Sequence, residues 1–206
     1  MTTNTMQETI NTALACYRAT EINPQQPIRS AAVALLLRGS ADNPEVLLIE
    51  RASQPNDPWS GNLSFPGGRI DDSDADALAA AIRETSEEVG LILAANQLLG
   101  RLDDLHGTRV PIKVSCFVFK VADDQQLAIN EEVKHSMWVP LSLLQQPERH
   151  ALRNVNWHGN AIEVPSIFVD DSKPPLWGLT YRFMHHFFTV VGTPLSDLPQ
   201  EAPRPI

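Results

Sequence analysis

The hydrophobic pattern of the chain predicts strands and helices within one main domain. Two apolar runs, residues 29–38 and 46–51, have the composition of buried strands and flank a turn rich in Gly, Asp and Pro. Further strands are predicted near residues 97–103, 109–121 and 137–139, with a hairpin over 157–169 that turns at 158–160. Helices are predicted over residues 9–20, 141–144 and 177–191, and over an alanine-rich stretch that ends near Val89. No internal repeat or interdomain linker interrupts this order.

The helix that ends near Val89 concentrates carboxylates. Its periodicity predicts one narrow, mostly apolar stripe made of Leu78, Ile82, Thr85 and Val89. The opposite side is predicted to carry Glu84, Glu87 and Glu88. Carboxylates three or four residues apart on a helix repel each other by roughly 0.2 to 0.5 kcal/mol, and a cation relieves that repulsion. Hard divalent ions such as Mg²⁺ prefer oxygen ligands, whereas structural zinc sites need a Cys or His spacing that this chain lacks.

The same spacing of glutamates also occurs on ordinary solvated helix faces that bind no metal. The loop before the helix decides between a solvated face and a metal site. Gly67 and Gly68 permit a tight turn and a close approach of the main chain to a ligand. Residues 71–74 offer several capping oxygens at the helix start, and Gly90 provides a C-terminal stop. A glycine loop next to a carboxylate helix favours a divalent-metal site.

Loop and helix together resemble the sequence box of the Nudix hydrolases, in which a glycine, an Arg-Glu pair and a Glu-Glu pair stand at fixed spacing. The matching residues are Gly68, Arg83, Glu84, Glu87, Glu88, Gly90 and Leu91. Two positions depart from the family pattern. Asp74 replaces the first Glu, with eight rather than seven residues between it and Arg83, and Thr85 replaces an aliphatic residue.

Segments on both sides extend the resemblance over about residues 28 to 190. Residues 47–52 and 61–68 are similar to the signature that precedes the box in coenzyme A pyrophosphatases, which has an arginine element and a Gly-X-X-X-Phe-Pro-Gly-Gly element. Here the two elements are one residue further apart, and Asn56 or a neighbour occupies the place of a second arginine. Residues 131–141 resemble a late family segment in which an acidic residue reaches the metal site, and Glu132 is the better aligned candidate.

The resemblance implies a fold of the α/β (α+β) class: a Nudix-type α/β/α sandwich with a mixed central sheet. It implies an N-terminal helical extension over residues 1–27, a Nudix domain over 28–191 and a Pro-rich tail over 192–206.

The resemblance also implies Mg²⁺ or Mn²⁺ as cofactor. The expected metal-binding residues are Gly68, Glu84, Glu87 and Glu88, and the expected catalytic residues are Arg83, Glu84, Glu87 and Glu132. Arg83 is expected to orient Glu84 or Glu87, and either Glu84 or Glu132 is expected to accept a proton from water. Arg51 and Arg69 are the candidates for contacts with substrate phosphates.

The implied activity is hydrolysis of the diphosphate bond of a nucleoside diphosphate derivative. Coenzyme A is the first substrate hypothesis, with 3',5'-ADP and 4'-phosphopantetheine as products. Alternatives are a Nudix hydrolase of ADP-ribose, dinucleotides or nucleotide sugars, and a Nudix module that senses a nucleotide without cleaving it. The complete set of three glutamates argues against the sensor.

Composition limits the partners of the chain. Its 206 residues carry a net charge of −9, which argues against nonspecific binding to nucleic acid or to an anionic membrane surface. The longest apolar run, residues 31–37, is too short to span a bilayer, and residues 1–18 lack the apolar core of a signal peptide. Cys16 and Cys116 are expected to be reduced, which suits the cytoplasm. A homodimer through an exposed strand edge is left open.

Overall fold

The computed structural model describes residues 4–23, 29–54, 59–157 and 159–195. Its helices are α1 (Met6–Cys16), α2 (Ala77–Val89), α3 (Leu141–Leu144) and α4 (Gly178–Val190). Its strands are β1 (Arg29–Gly39), β2 (Pro44–Arg51), β3 (Leu63–Ser64), β4 (Gly67–Arg69), β5 (Leu98–Arg101), β6 (Leu105–His106), β7 (Ile112–Lys120), β8 (Val133–Pro140), β9 (His150–Trp157), β10 (Asn160–Ile167) and β11 (Leu176–Trp177). Within these ranges no helix is both long and apolar enough to cross a membrane.

The strands form one mixed sheet and one small antiparallel sheet. In the larger sheet the order is β3-β2-β1-β7-β5, with β4 also paired to β1, β6 to β7 and β8 to β2. Strands β1 and β7 are parallel, and the other pairs are antiparallel. The smaller sheet has the order β11-β10-β9. The prediction of a mixed central sheet is confirmed.

Helices cover both faces of the larger sheet. Residues of β1 alternate between two core clusters, because successive side chains of a strand point to opposite faces. Leu35 and Leu37 belong to the cluster that contains the α4 residue Phe187, whereas Leu36 belongs to the cluster that contains the α2 residue Ala81. Burial on both faces explains why β1 has a nearly continuous apolar sequence. The predicted α/β/α sandwich is confirmed.

Several element limits differ from the prediction. Helix α1 begins earlier than residue 9, because Thr5 and Glu8 form a reciprocal capping box at its start. Helix α2 is capped by Asp76, whose side chain accepts from the N–H of Ala79, and not by residues 71–74. The predicted stop at Gly90 is confirmed, with φ of 74° at that residue. Short strands such as β4 carry no periodic pattern and were not predicted.

The hairpin turns at the predicted place, between Trp157 and Asn160, but it begins earlier in the chain than predicted. Its arms are β9 and β10, so residues 150–157 form a strand that the prediction left out. No residue of β9 is fully buried, and half-buried strands without an apolar run are hard to detect from sequence. His158, in the predicted turn, lies outside the described residues. So do residues 55–58 and the part of the predicted tail beyond residue 195.

The two cysteines are expected to differ strongly in reactivity. Cys16 is exposed and Cys116 is fully buried in β7, and both are free thiols. Burial raises the pKa of the Cys116 thiol far above its usual range, so the reactive thiolate is scarce there. Titration of the native protein with a chromogenic disulfide should therefore detect one fast thiol, and the second only after denaturation. Two fast thiols in the native protein would contradict the burial of Cys116.

Candidate active site

A cleft opens where the two central strands of the larger sheet diverge. Strands β1 and β2 pair at Leu37–Gly39 and Pro44–Val46. Further along, β4 pairs with β1, and β3 pairs with β2. The cleft at this place has a volume of about 750 Å³ and is lined by the glycines of β4 and by carboxylates of α2.

The two glycines of β4 allow the helix carboxylates to reach the main chain. The N–H of Gly67 donates to Oε2 of Glu88 at 2.8 Å, and Gly67 has a φ of 147° that favours glycine. Gly68 faces Glu84, and a Cβ at this position would overlap the Glu84 carboxylate. A side chain at Gly68 would therefore displace Glu84.

Glu88 is buried, which corrects the predicted arrangement of the helix faces. Its exposed fraction is 1%, and Thr85 on the same buried side is 0% exposed. The small residues Ala80 and Ala81 are fully buried, whereas Leu78 and Ile82 are only half-buried. The prediction that all three glutamates share the side opposite the core is therefore wrong for Glu88. Glu87, in contrast, is exposed.

Burial perturbs the acidity of two of these glutamates. Loss of solvation raises the pKa of Glu88 to about 7, against the opposing effect of its hydrogen bond from Gly67. Loss of solvation also raises the pKa of Glu84. The negative charge of Glu132 adds to both increases, so Glu132 belongs to the same electrostatic cluster. Burial and mutual repulsion together make the charged forms of Glu84 and Glu88 less favourable than in water.

Arg83 connects the carboxylates of the box. Its Nη1 donates to Oε1 of Glu84 at 3.0 Å and to Oε2 of Glu87 at 3.2 Å. Its Nε and Nη2 donate to the two carboxylate oxygens of Asp74, each at 2.9 Å. This bidentate pair fixes the plane of the guanidinium group, because both partners are planar. Arg83 thus contacts Glu84 and Glu87, as predicted, while Asp74 holds Arg83.

With the metal-binding roles that the family resemblance implies for Glu84 and Glu87, Asp74→Asn should lower the expected hydrolytic activity about tenfold, the usual effect of removing a group that orients a metal ligand. The hydrogen bonds from Arg83 lower the pKa of Asp74 to about 2, so the carboxylate stays charged at all working pH values. An amide keeps the size but loses the charge and one of the two acceptors. Measurement of kcat/KM should show the loss, with Asp72→Asn, an exposed neighbour, as the control. Equal activities of the two variants would contradict an orienting role.

The eight predicted site residues all line the same cleft. They are Arg51, Gly68, Arg69, Arg83, Glu84, Glu87, Glu88 and Glu132. Nη1 of Arg51 lies 3.5 Å from Oε1 of Glu88, so this arginine forms an ion pair with a buried carboxylate. The carbonyl of Arg69 accepts from Arg83 at 3.1 Å. Their individual roles in catalysis and binding stay predictions.

Comparison with known families supports the resemblance that the box carries. The model of the NUDIX domain matches residues 27–159, which is more than half of the chain. The chain belongs to this family. Helix α2 and strand β4 are thus the two halves of its Nudix box, and both line the cleft at which strands β1 and β2 diverge.

Relatives of this Nudix chain include human mitochondrial coenzyme A diphosphatase NUDT8. The two are 31% identical over 156 residues, which cover 73% of this chain and 64% of the human protein. The uncharacterized Nudix hydrolase NudL of Citrobacter koseri is 25% identical over 184 residues, covering 84% of this chain and 88% of that protein. The chain spans about half to two thirds of the length of the first curated relatives that it matches.

A solved structure of a MutT/nudix family protein from Enterococcus faecalis has the same fold. Its TM-score with this Nudix chain is 0.55 at 17% sequence identity, and the match covers 84% of this chain and 71% of the other. At this level of identity the comparison supports the architecture and says nothing about substrate.

The donor set of the Nudix box fits a hard divalent cation. Glu84, Glu87 and Glu88 supply carboxylate oxygens, the ligands that Mg²⁺ and Mn²⁺ prefer. Within the described ranges no three acidic, His or Cys side chains are already grouped tightly enough to hold an ion. The reason is visible in the contacts: Arg83 binds Glu84 and Glu87, and the Gly67 N–H holds Glu88. Loss of solvation nevertheless raises the pKa values of Glu84 and Glu88 against the opposing effect of these contacts.

Sequence reasoning missed several residues that line the cleft. Arg29 and Arg109 come from β1 and from the loop between β6 and β7. Trp157 lies between Trp59 and Trp177, with ring centroids 6.4 Å and 5.8 Å away. These residues are far apart in sequence and carry no local motif. Only strand pairing brings them to the Nudix box.

Proposed function

We propose that this chain is a metal-dependent diphosphatase of nucleoside diphosphate derivatives, with coenzyme A as its first substrate. Hydrolysis of that substrate gives 3',5'-ADP and 4'-phosphopantetheine. The observation that carries the proposal is the convergence of Glu84, Glu88 and Glu132 on one cleft at which two carboxylate pKa values are raised. Identity of 31% to human coenzyme A diphosphatase NUDT8 supports the choice of substrate. The free thiols suit a reducing compartment, and we propose the cytoplasm.

Glu84, Glu87, Glu88 and the Gly68 carbonyl would hold Mg²⁺ or Mn²⁺. When bound, such an ion neutralises the diphosphate and lowers the pKa of a water ligand. The Gly67 N–H keeps the buried Glu88 carboxylate in place, and Arg83 keeps Glu84 and Glu87 in place. The chain thereby orders its acidic groups before substrate arrives, which lowers the cost of forming the reactive arrangement.

The attacking water needs a base, and two side chains of the cleft qualify. Glu84 is half-buried with a raised pKa, which brings its basicity closer to neutral pH, where general bases work best. Glu132 is exposed, lines the cleft and interacts electrostatically with Glu84 and Glu88. Arg51 beside Glu88 and Arg69 after Gly68 would contact the phosphates of the substrate.

Product analysis tests the proposal. Purified protein with Mg²⁺ or Mn²⁺ is incubated with coenzyme A, ADP-ribose, NADH and diadenosine tetraphosphate, and the products are separated by chromatography. Release of 3',5'-ADP from coenzyme A, lost in Glu84→Gln, is the expected result. Preferential cleavage of another diphosphate would support the proposed reaction but exclude coenzyme A as the preferred substrate. Tight nucleotide binding by a wild type that cleaves none of them would favour the sensor.

A further inference from the structure

The cleft has a second charged region beside the carboxylates. It consists of Arg29 at the start of β1, Arg69 at the end of β4 and Arg109 in the loop between β6 and β7. We call these three residues the arginine cluster. None of them belongs to the Glu84–Glu88 part of the box.

Strand register brings the cluster together. Arg69 lies directly opposite Ala31 on β1, and opposed residues of antiparallel strands share a face. Arg29 is two residues before Ala31 and therefore lies on the same face. Arg29 and Arg69 are diagonal neighbours, which are about 7 to 8 Å apart in such sheets. On the other side of β1, Arg29 pairs with Ile112, three residues after Arg109.

The loop that carries Arg109 is held in place by contacts at both ends. The N–H of Gly107 donates to the carbonyl of Ile112 at 2.8 Å. Arg182 of α4 donates from Nη1 to the carbonyl of His106 at 2.6 Å. A Cβ at Gly107 would overlap the carbonyl of Val110, so the loop closes tightly on itself. Arg109 is thus presented to the cleft from a fixed turn.

The cluster lacks the compensation that the other cleft arginines have. Arg51 accompanies Glu88, and Arg83 binds Asp74, Glu84 and Glu87. In the segments that the structure describes, the guanidinium groups of the arginine cluster make no ion pair and no hydrogen bond to another side chain. All three residues are exposed and line the same cleft, so their guanidinium groups are open to a ligand that enters it. Such groups are suited to a multiply charged oxyanion, which arginine binds with two parallel hydrogen bonds.

We propose that the arginine cluster is a subsite for a phosphate monoester carried by the substrate, in addition to the diphosphate that is cleaved. This inference rests on the proposed function. Arg69 and Gly68 belong to opposite faces of β4, but both line the cleft that also contains Glu84, so the cluster and the carboxylates share one cavity. A ribose that carries a 5'-diphosphate and a 3'-phosphate can place one group at each end. Coenzyme A has this 3'-phosphate, whereas ADP-ribose and NADH lack it.

The test compares coenzyme A with 3'-dephospho-coenzyme A. Wild-type kcat/KM is expected to favour coenzyme A at least tenfold, because hydrogen bonds between charged groups are the strong ones. Arg29→Gln and Arg109→Gln should each reduce this preference at least threefold, and the double variant should remove it. Arg18→Gln, which neutralises an exposed arginine that does not line the cleft, is the control and should keep it. Circular dichroism verifies that each variant is folded.

A second measurement separates the subsite from the activity. Binding of 3',5'-ADP and 5'-AMP to the wild type is compared by calorimetry, with an expected preference of at least tenfold for 3',5'-ADP that the double variant lacks. The subsite is refuted if the wild type cleaves both coenzyme A forms equally well. It is also refuted if the variants lose activity on both forms by the same factor. Either result leaves the proposed diphosphatase activity intact. If the wild type cleaves neither form, the proposed substrate fails, and equal binding of the two nucleotides would refute the subsite as well.

Discussion

Glu88→Gln is expected to abolish hydrolysis and, at the same time, to stabilise the metal-free protein above pH 7. The loss of activity should be on the order of 10³-fold, the size of effect seen when one strong electrostatic contribution to a transition state is removed. Stabilisation follows because the buried Glu88 carboxylate is only partly compensated by the Gly67 N–H and by Arg51. Glutamine keeps an oxygen that accepts from Gly67 and carries no charge.

The pH dependence follows from the raised pKa of Glu88. Its pKa is about 7 in the folded protein and 4.5 without burial, so protonated Glu88 stabilises the fold. This stabilisation is complete below pH 4.5 and is lost as the pH rises to 7. The full difference corresponds to about 3 kcal/mol at pH 8. A divalent cation at the site offsets this loss when it binds.

Urea unfolding at pH 5 and pH 8 in the presence of a chelator measures the effect. The free energy of unfolding of Glu88→Gln should exceed that of the wild type at pH 8, and the two should approach each other at pH 5. Glu87→Gln is the matched control, because Glu87 is exposed and its substitution should change stability little at either pH. A Glu88→Gln protein less stable than the wild type at pH 8 would show that Glu88 is already well compensated.

Alanine at the two adjacent glycines of β4 is expected to have opposite consequences. At Gly67 a Cβ would overlap the carbonyl of Ala32 and come within 2.6 Å of Cα of Val33, which are backbone atoms of a central strand. The φ of 147° adds strain for any L side chain. Gly67→Ala should therefore lower the free energy of unfolding by about 4 kcal/mol.

At Gly68 the neighbour of the added Cβ is the end of a flexible side chain. The Glu84 carboxylate can rotate away, so Gly68→Ala should destabilise the fold by about 1 kcal/mol or less. Activity should fall about 100-fold, because Glu84 leaves the place in which Arg83 holds it. Urea unfolding and kcat/KM of both variants provide the check. Full stability of Gly67→Ala would contradict the close packing of β4 against β1, and full activity of Gly68→Ala would contradict the contact between β4 and Glu84 of α2.

The charged residues of the box could be recognised from the sequence because they are local. Glu84, Glu87 and Glu88 belong to one helix, and helical periodicity determines their relative placement before any tertiary contact forms. Gly90 ends that helix by its own positive φ. The interpretation of Arg51, Arg69 and Glu132 needed the family resemblance, because these residues are remote from the helix in sequence.

Periodicity could not reveal which side of α2 is buried most deeply. Leu78 and Ile82 indicated the core face, yet they are half-buried, whereas Ala80 and Ala81 are fully buried. On the same side of the helix, Glu88 is buried and accepts from the Gly67 N–H. The perturbed acidity of Glu88 is therefore a consequence of its burial, which hydrophobic periodicity does not reveal.

The sequence by itself determined the helix with its carboxylates, the glycine loop and, through its resemblance, the family and the sandwich fold. Tertiary structure alone decided the burial of Glu88, the contact of Asp74 with Arg83, and the meeting of Arg29 with Arg69 and Arg109 at one end of the cleft. The reason is the range of the interactions involved. Helix periodicity and turn geometry act over a few residues, whereas strand register joins segments whose separation in the chain has no relation to their distance in space.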